Sequence, residues 1–507
     1  APKFILPSGD ASLDDEQAPV PTRHHHSTAP TTTTTTTTAT TRHTHHRNAM
    51  LAAALAVAAA ASAAGAARGA EFDVCVDWLQ NTNRQIVDVA ARPGDNDHLF
   101  AVDRTGFVVR VAAATGAEID VVLDLSARMA SGLTEMGLLS AEFHPSDPNR
   151  LFVYLTQATT NTNFANEAVL AEVALDPANN LHAISDFGGT GEPLRVLIRQ
   201  NFVAQNHNGG TIMFDNNGYL LFAYGDDEQL RQVPTNSWVS ADSLAGKLIR
   251  IDVSTTDPPQ ADGRRYTVPA ANAADAGGLF PARDEVVAVG MRNPWKCTYD
   301  SEHGVLCGDV GGDVEEFIHV AAGDNHGWPT LNGLDVCQAP HNQVTMANCD
   351  TVTAVAKQPF FAYSGVAQPE YGISSASSAI GGVVYRGIDP RLSGKYLIGD
   401  AFASLVWDGT ESRYLRRGGR QLLAISSPFT ELSSYPITAP LSNVDTINLV
   451  QCTNTTACVR GDSYWAPDWG NAALWGFGSD NEGRVYMYEN QKGWARIVDP
   501  RHCNIDP

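Results

Sequence analysis

The chain has 507 residues, 43% of them hydrophobic and 18% charged, and carries a formal net charge of −22. That composition suits a globular protein with a large core and excludes a wholly disordered one. The negative balance argues against nucleic acid or an anionic membrane surface as partner, because both select basic patches.

Residues 1–49 are polar and include eight consecutive threonines, Thr31 to Thr38. Such a stretch has too little apolar surface to fold and is expected to be a disordered segment. At residues 50–70 the composition changes to MLAAALAVAAAASAAGAARGA, with Arg42 and Arg47 ahead of it. A basic flank, an apolar run and small residues at its end form the pattern of a secretory signal. So alanine-rich a run is a weak membrane anchor. The mature chain is therefore expected to begin near Glu71, with no stable membrane span, and to be secreted (extracellular, or periplasmic or lumenal).

Residues 71–507 are expected to form one β domain. Short apolar runs recur in chain order, among them HLFAVDRTGFVVRV (98–111), RLFVYLTQ (150–157) and YLLFAYGDD (219–227). KLIRIDV (247–253), KYLIGDAFASLVW (395–407) and GRVYMYE (483–489) follow. They are rich in β-branched and aromatic residues and broken by Gly, Asp, Asn and Pro turns, which predicts strands and leaves no room for long amphipathic helices. The recurrence of strand, turn and strand over a few tens of residues points to propeller blades, with a β-sandwich as the alternative.

Eight cysteines stand at 75, 297, 307, 337, 349, 452, 458 and 503. None makes a CxxC pair, which disfavours a zinc ribbon or a thioredoxin-type motif. The spacing suggests disulfides 297/307, 337/349 and 452/458, with Cys75 and Cys503 joining the two ends; other connectivities stay open. Such a set belongs in an oxidising compartment.

Five segments together resemble the soluble glucose/sorbosone (aldose sugar) dehydrogenase family, which includes a hedgehog-interacting-protein-like branch. They are EMGLLSAEFHP (135–145), QNHNGGTIMFDNNGYLLFAYGDD (205–227) and AGKLIRIDV (245–253), then 287–329 containing GMRNPW and GDVGGDVEE, and GGVVYRGIDPRLSGKYLIGDAFASLVW (381–407). The resemblance implies an all-β, six-bladed propeller of four-stranded antiparallel blades, with a site at the mouth of its central channel. It also implies oxidation of a sugar or small-alcohol hydroxyl by hydride transfer to pyrroloquinoline quinone (PQQ), assisted by Ca²⁺.

The chemistry needs a base that is neutral near physiological pH, which an imidazole supplies. His207, in QNHNGG, matches the family's histidine, and its two following glycines are expected to let a flat cofactor approach the backbone. Asp226 matches a carboxylate beside that base, suited to fixing the imidazole tautomer. Arg292 and Asn293 resemble the pair that faces the quinone oxygens, where a guanidinium offers charge-assisted donors. Arg386 falls where the family places a cofactor-contacting cation, and Glu135 where it places Gln or Glu. For the cation, the resemblance points to Asp309, Val310, Gly311 and Glu316 in an acidic loop that also holds Asp313 and Glu315, since hard cations take oxygen ligands.

Two positions depart from the family pattern. Leu405 stands where many family enzymes carry an arginine for a cofactor carboxylate, and His326 replaces the tyrosine of an Asn-Tyr-Gly-Trp element near the calcium. With the cysteine pairs, these departures favour an alternative: a non-catalytic extracellular propeller that binds a protein partner.

Overall fold

The computed structural model describes residues 69–505 apart from 80–82, 130–134, 162, 188–190, 229–242, 255–258, 261–262, 273–282, 313, 334–336, 338–345, 354, 365–377, 402–403, 409–412, 418–421, 433–440, 455–456, 461–473 and 490–492. The Thr-rich segment, the signal-like stretch and Asp313 lie outside the described residues.

Apart from the helix Met346–Thr353, the regular structure described is almost all strand. The strands are buried on both faces: Ile86–Ala90, Leu220–Ala223 and Val286–Val289 have every residue buried. Sheets stacked face to face leave neither side to water, so their strands read as continuous Val/Ile/Leu runs rather than alternating ones.

The architecture is an all-β propeller with four-stranded antiparallel blades. One blade is Ile86–Ala90, His98–Asp103, Phe107–Ala112 and Glu118–Asp124. The next is Leu138–His144, Asp147–Gln157, Asn166–Asp176 and Arg195–Phe202, with the short His182–Ala183 attached to its third strand. A third is Ile212–Phe214, Leu220–Ala223, Lys247–Ile251 and Val286–Val289, and a fourth is Pro294–Asp300, Gly304–Asp309, Val314–Val320 and Phe361–Ser364.

The expectation of six separate blades is corrected here, because four sheets stand alone and most of the remaining strands merge into one nine-stranded sheet. The cause is the N-terminal strand Glu71–Trp78. It pairs antiparallel with Gly493–Ile497 on one side and parallel with Val444–Asn454 on the other, so two groups of four strands become one sheet.

The first strands pack against one another in a ring. Ile86–Ala90 touches Leu138–His144 and Leu474–Ser479, and Ile212–Phe214 lies between Leu138–His144 and Pro294–Asp300. Ala379–Ile380 touches both Pro294–Asp300 and Leu474–Ser479. The ring encloses a cavity of about 480 Å³ whose lining includes Asp88, Glu142, Thr211 and Lys296. In it the Lys296 ammonium stands 3.6 Å from Asp88, whose other oxygen accepts the Ser140 hydroxyl at 2.5 Å.

Among the described residues three disulfides are formed: Cys75–Cys503, Cys297–Cys307 and Cys337–Cys349. Cys452 and Cys458 face each other in register across Val444–Asn454 and Ala457–Arg460, and their side chains lie outside the described residues. Cys75–Cys503 ties the N-terminal strand to the turn after the last strand, across 428 residues of sequence. Replacing both cysteines by serine is expected to lower stability by about 2–5 kcal/mol, since the bond closes nearly the whole domain. Denaturant melts of the oxidised protein and this variant measure the difference; coincident melts would contradict a closing role.

Candidate active site

Glu135, His207 and Asn293 each precede a first strand, namely Leu138–His144, Ile212–Phe214 and Pro294–Asp300. Asp226 follows Leu220–Ala223, which runs antiparallel to its first strand and so returns to the same mouth. Loop residues far apart in sequence are gathered by this geometry at one end of the channel.

The His207 Nδ1 lies 2.6 Å from Asp226 Oδ1. Both residues are buried, at 8% and 1% exposure. Asp226 also accepts the Trp328 indole N–H at 2.7 Å on Oδ2 and the Glu228 amide at 2.8 Å on Oδ1. Burial alone would raise its pKa, but the attraction of His207, the His207 and Trp328 hydrogen bonds and the Arg292 charge together hold it below the usual carboxylate range. Asp226 is thus a carboxylate at neutral pH, able only to accept, so Nδ1 of His207 must donate. The lone pair of the neutral ring is then on Nε2.

His207 has φ +57°, a left-handed conformation that costs a non-glycine residue energy and recurs at functional sites. Two bonds hold it there. Its amide donates to Glu135 Oε2 at 2.8 Å, and its carbonyl accepts the Asp227 amide at 3.2 Å. The same Glu135 oxygen accepts Asn293 Nδ2 at 3.0 Å, and Asn293 Oδ1 accepts the Gly209 amide at 3.2 Å. Glu135 therefore braces the histidine loop against the Arg-Asn loop.

The glycines after His207 are required by close packing. A Cβ on Gly209, at φ +71°, would stand 2.4 Å from the Ala223 carbonyl, and one on Gly210 would stand 2.2 Å from the Trp295 carbonyl. They let the loop press onto neighbouring strands.

Arg292 and Asn293 are anchored through their amides, which donate to the two Asp309 oxygens at 3.0 and 2.6 Å. The Arg292 guanidinium donates through Nη1 to the Val310 carbonyl at 2.6 Å and lies 5.4 Å from the Trp328 ring centre. Its Nε is buried and, among the described residues, has no hydrogen-bond partner. Burial lifts Asp309 to about 6 against those amide bonds and the Arg292 charge.

Arg386 is not brought to this mouth, which corrects its expected role. Arg386 forms a bidentate pair with Asp300 at 2.9 and 3.2 Å and a second pair with Glu302 at 2.9 Å. Asp300 ends the strand whose beginning carries Asn293, so the two lie about 20 Å apart at a rise of ~3.3 Å per residue. Arg386, outside any strand, thus stands toward the opposite end of the channel.

In the acidic loop, Gly311 donates its amide to Glu315 Oε2 at 3.2 Å, and the Ala379 amide donates to the same atom at 2.8 Å. Glu315 Oε1 is buried and has no hydrogen-bond partner among the described residues. Glu316 accepts the Gly333 amide. Burial pushes both glutamates up to about 8, for Glu315 aided by Asp400 and for Glu316 by Asp309. A bound cation is the simplest way to satisfy such a carboxylate in its ionised form. These two orphaned atoms, a guanidinium donor and a carboxylate acceptor, fit a quinone oxygen and a hard cation in chemistry. The Val310 carbonyl accepts Arg292 Nη1, which leaves its second lone pair open to a cation.

Trp328 and Glu315 were not singled out by the sequence as site residues. Trp328 follows the His326 departure, and the Gly-Trp-Pro sequence gives no hint of which group its N–H meets. Leu405 lies in Ser404–Asp408, opposite Arg416 in backbone register, and its side chain is outside the described residues.

The glucose/sorbosone dehydrogenase family profile matches residues 87–399. The chain belongs to this family. It is 28% identical over 324 residues to the HIPL1 protein of Arabidopsis thaliana, covering 62% of this chain and 42% of that one. It is 23% identical over 458 residues to the Hedgehog-interacting protein of Mus musculus, covering 84% and 53%. The chain thus spans about half the length of the curated relatives it matches. Among solved structures, the soluble aldose sugar dehydrogenase of Escherichia coli in its apo form superposes with TM-score 0.54 at 18% identity, covering 83% of this chain and 99% of that one. That likeness concerns the fold.

His326 is 6% exposed, and neither ring nitrogen has a hydrogen-bond partner among the described residues. Burial, with His319 and Lys357 adding to it, pushes its pKa down to about 3, below the ~6.5 of a free imidazole. Across that interval the unfolded chain binds a proton that the folded chain refuses, so stability falls as pH drops from about 6.5. His326→Phe is expected to recover roughly 2 kcal/mol at pH 4.5 relative to its effect at pH 7. Melts at the two pH values check this; an identical acid loss in both proteins would contradict it.

Proposed function

We propose that the mouth holding His207 oxidises a sugar or small-alcohol hydroxyl using PQQ and Ca²⁺. The observation that carries the reading is the His207–Asp226 pair set beside the buried, unpartnered Nε of Arg292. His207 Nε2 accepts the substrate hydroxyl proton, and Asp226 stabilises the imidazolium that forms. Arg292, stacked on Trp328 and anchored by Asp309, supplies a positive donor where negative charge develops. When bound, PQQ supplies the two-electron acceptor and Ca²⁺ polarises its carbonyl. Glu315, with its free oxygen, and the neighbouring Asp309 and Glu316 are the residues that would hold the cation; Arg292 and Asn293 would face the quinone.

The described features also support a coarser reading of the chain's setting. Three formed disulfides support a secreted or lumenal setting. Among the described residues no helix is long and apolar enough to cross a membrane.

A second reading is a non-catalytic extracellular propeller with a protein partner. It is supported by the resemblance to a Hedgehog-interacting protein over 84% of this chain, and by Arg386, the expected cofactor cation, being engaged elsewhere.

Calorimetric titration of PQQ into the calcium-loaded, secreted chain separates them. The enzyme reading expects micromolar or tighter binding, about −8 kcal/mol, at least tenfold weaker in Arg292→Ala. His207→Ala should keep that affinity within a few-fold while dye-linked sugar oxidation falls about 10²–10⁴-fold. No binding by the folded wild type would leave the partner-binding reading.

A further inference from the structure

The side chain that fixes His207 in a working state is not Asp226 alone. Asp226 has two oxygens, and a carboxylate held on one side only can swing about its χ2 torsion. Here Oδ1 takes His207 Nδ1 and the Glu228 amide, while Oδ2 takes the Trp328 indole N–H at 2.7 Å. The indole is itself fixed. Trp328 is 4% exposed, and its amide donates to the Gly290 carbonyl at 3.0 Å. Gly290 has φ +82°, and a Cβ there would stand 2.4 Å from Asn325 Oδ1 and 2.7 Å from the Gly327 amide, so the backbone around the tryptophan is closely packed. The face of the same ring carries the Arg292 guanidinium.

We propose that Trp328 is a positioning residue. Its indole N–H locks the Asp226 carboxylate so that His207 is held as the tautomer protonated on Nδ1, with Nε2 free toward the channel mouth. An indole N–H can only donate, and it has no second acceptor to choose, so it sets the carboxylate orientation without ambiguity. The other charged groups near the imidazole do not perform this task. Glu135 is occupied by backbone and Asn293 donors, and Asp227 by the Val203 and Ala204 amides. Glu228 receives Asn206, and Arg292 faces the Val310 carbonyl. The consequence for catalysis rests on His207 being the base, but the tautomer itself does not.

The test is ¹⁵N NMR of the full chain labelled at histidine, with His207 assigned by His207→Asn. Wild type should show one neutral tautomer for His207, protonated on Nδ1. Trp328→Phe, and a second variant carrying 3-benzothienylalanine at 328 (sulfur in place of the indole N–H, same ring shape), should each raise the Nε2-protonated fraction about tenfold, as expected for losing one charge-assisted bond. Unchanged tautomer ratio in the benzothienylalanine protein, with its melt intact, overturns the proposal. So does a wild-type ring protonated on Nε2. The spectrum needs neither PQQ nor turnover, so a chain that fails to bind the quinone still decides this point.

Discussion

Closure of the ring is the constraint on which everything else depends. A circular array of sheets has two free edges, and exposed edges invite slippage and aggregation. This chain spends the first described strand, Glu71–Trp78, on that seam, pairing it with Gly493–Ile497 and with Val444–Asn454 and locking it through Cys75–Cys503. Once the ring is shut, the first strands cannot splay. The loops that precede them are then held at one mouth with the precision that a hydrogen-bonded base needs.

The site inherits its order from that frame. His207 accepts a left-handed backbone because Glu135 and Asp227 hold both ends of its peptide, and the glycines that follow let the loop press against neighbouring strands. Asp226 stays ionised while buried because three donors meet it. The energetic cost of burying this carboxylate is offset by those bonds and by the Arg292 charge. Packing supplies rigidity and hydrogen bonding supplies direction.

Much of this was legible in the sequence, and the exceptions have physical causes. Strand runs such as RLFVYLTQ and YLLFAYGDD announced themselves because strands buried on both faces carry runs of apolar residues. His207, Asp226, Arg292 and Asn293 sit next to first or second strands, so motif order alone was enough to bring them together. Arg386 was misplaced because a motif fixes the sheet but not which end of a strand a residue leaves from. Its true partners, Asp300 and Glu302, are about 85 residues away in sequence. The blade count was misread because strand patterns do not reveal that the first strand will weld two groups together. Trp328 was missed because a hydrogen bond across 102 residues leaves no local signature.

The most direct test of the central claim is a crystal structure of the protein soaked with PQQ and Ca²⁺. The account predicts the quinone at the mouth formed by Glu135, His207 and Asn293, with an oxygen within hydrogen-bond reach of Arg292 Nε and cation density beside Glu315. A quinone bound instead at the opposite mouth, beside Arg386 and Asp300, would contradict it.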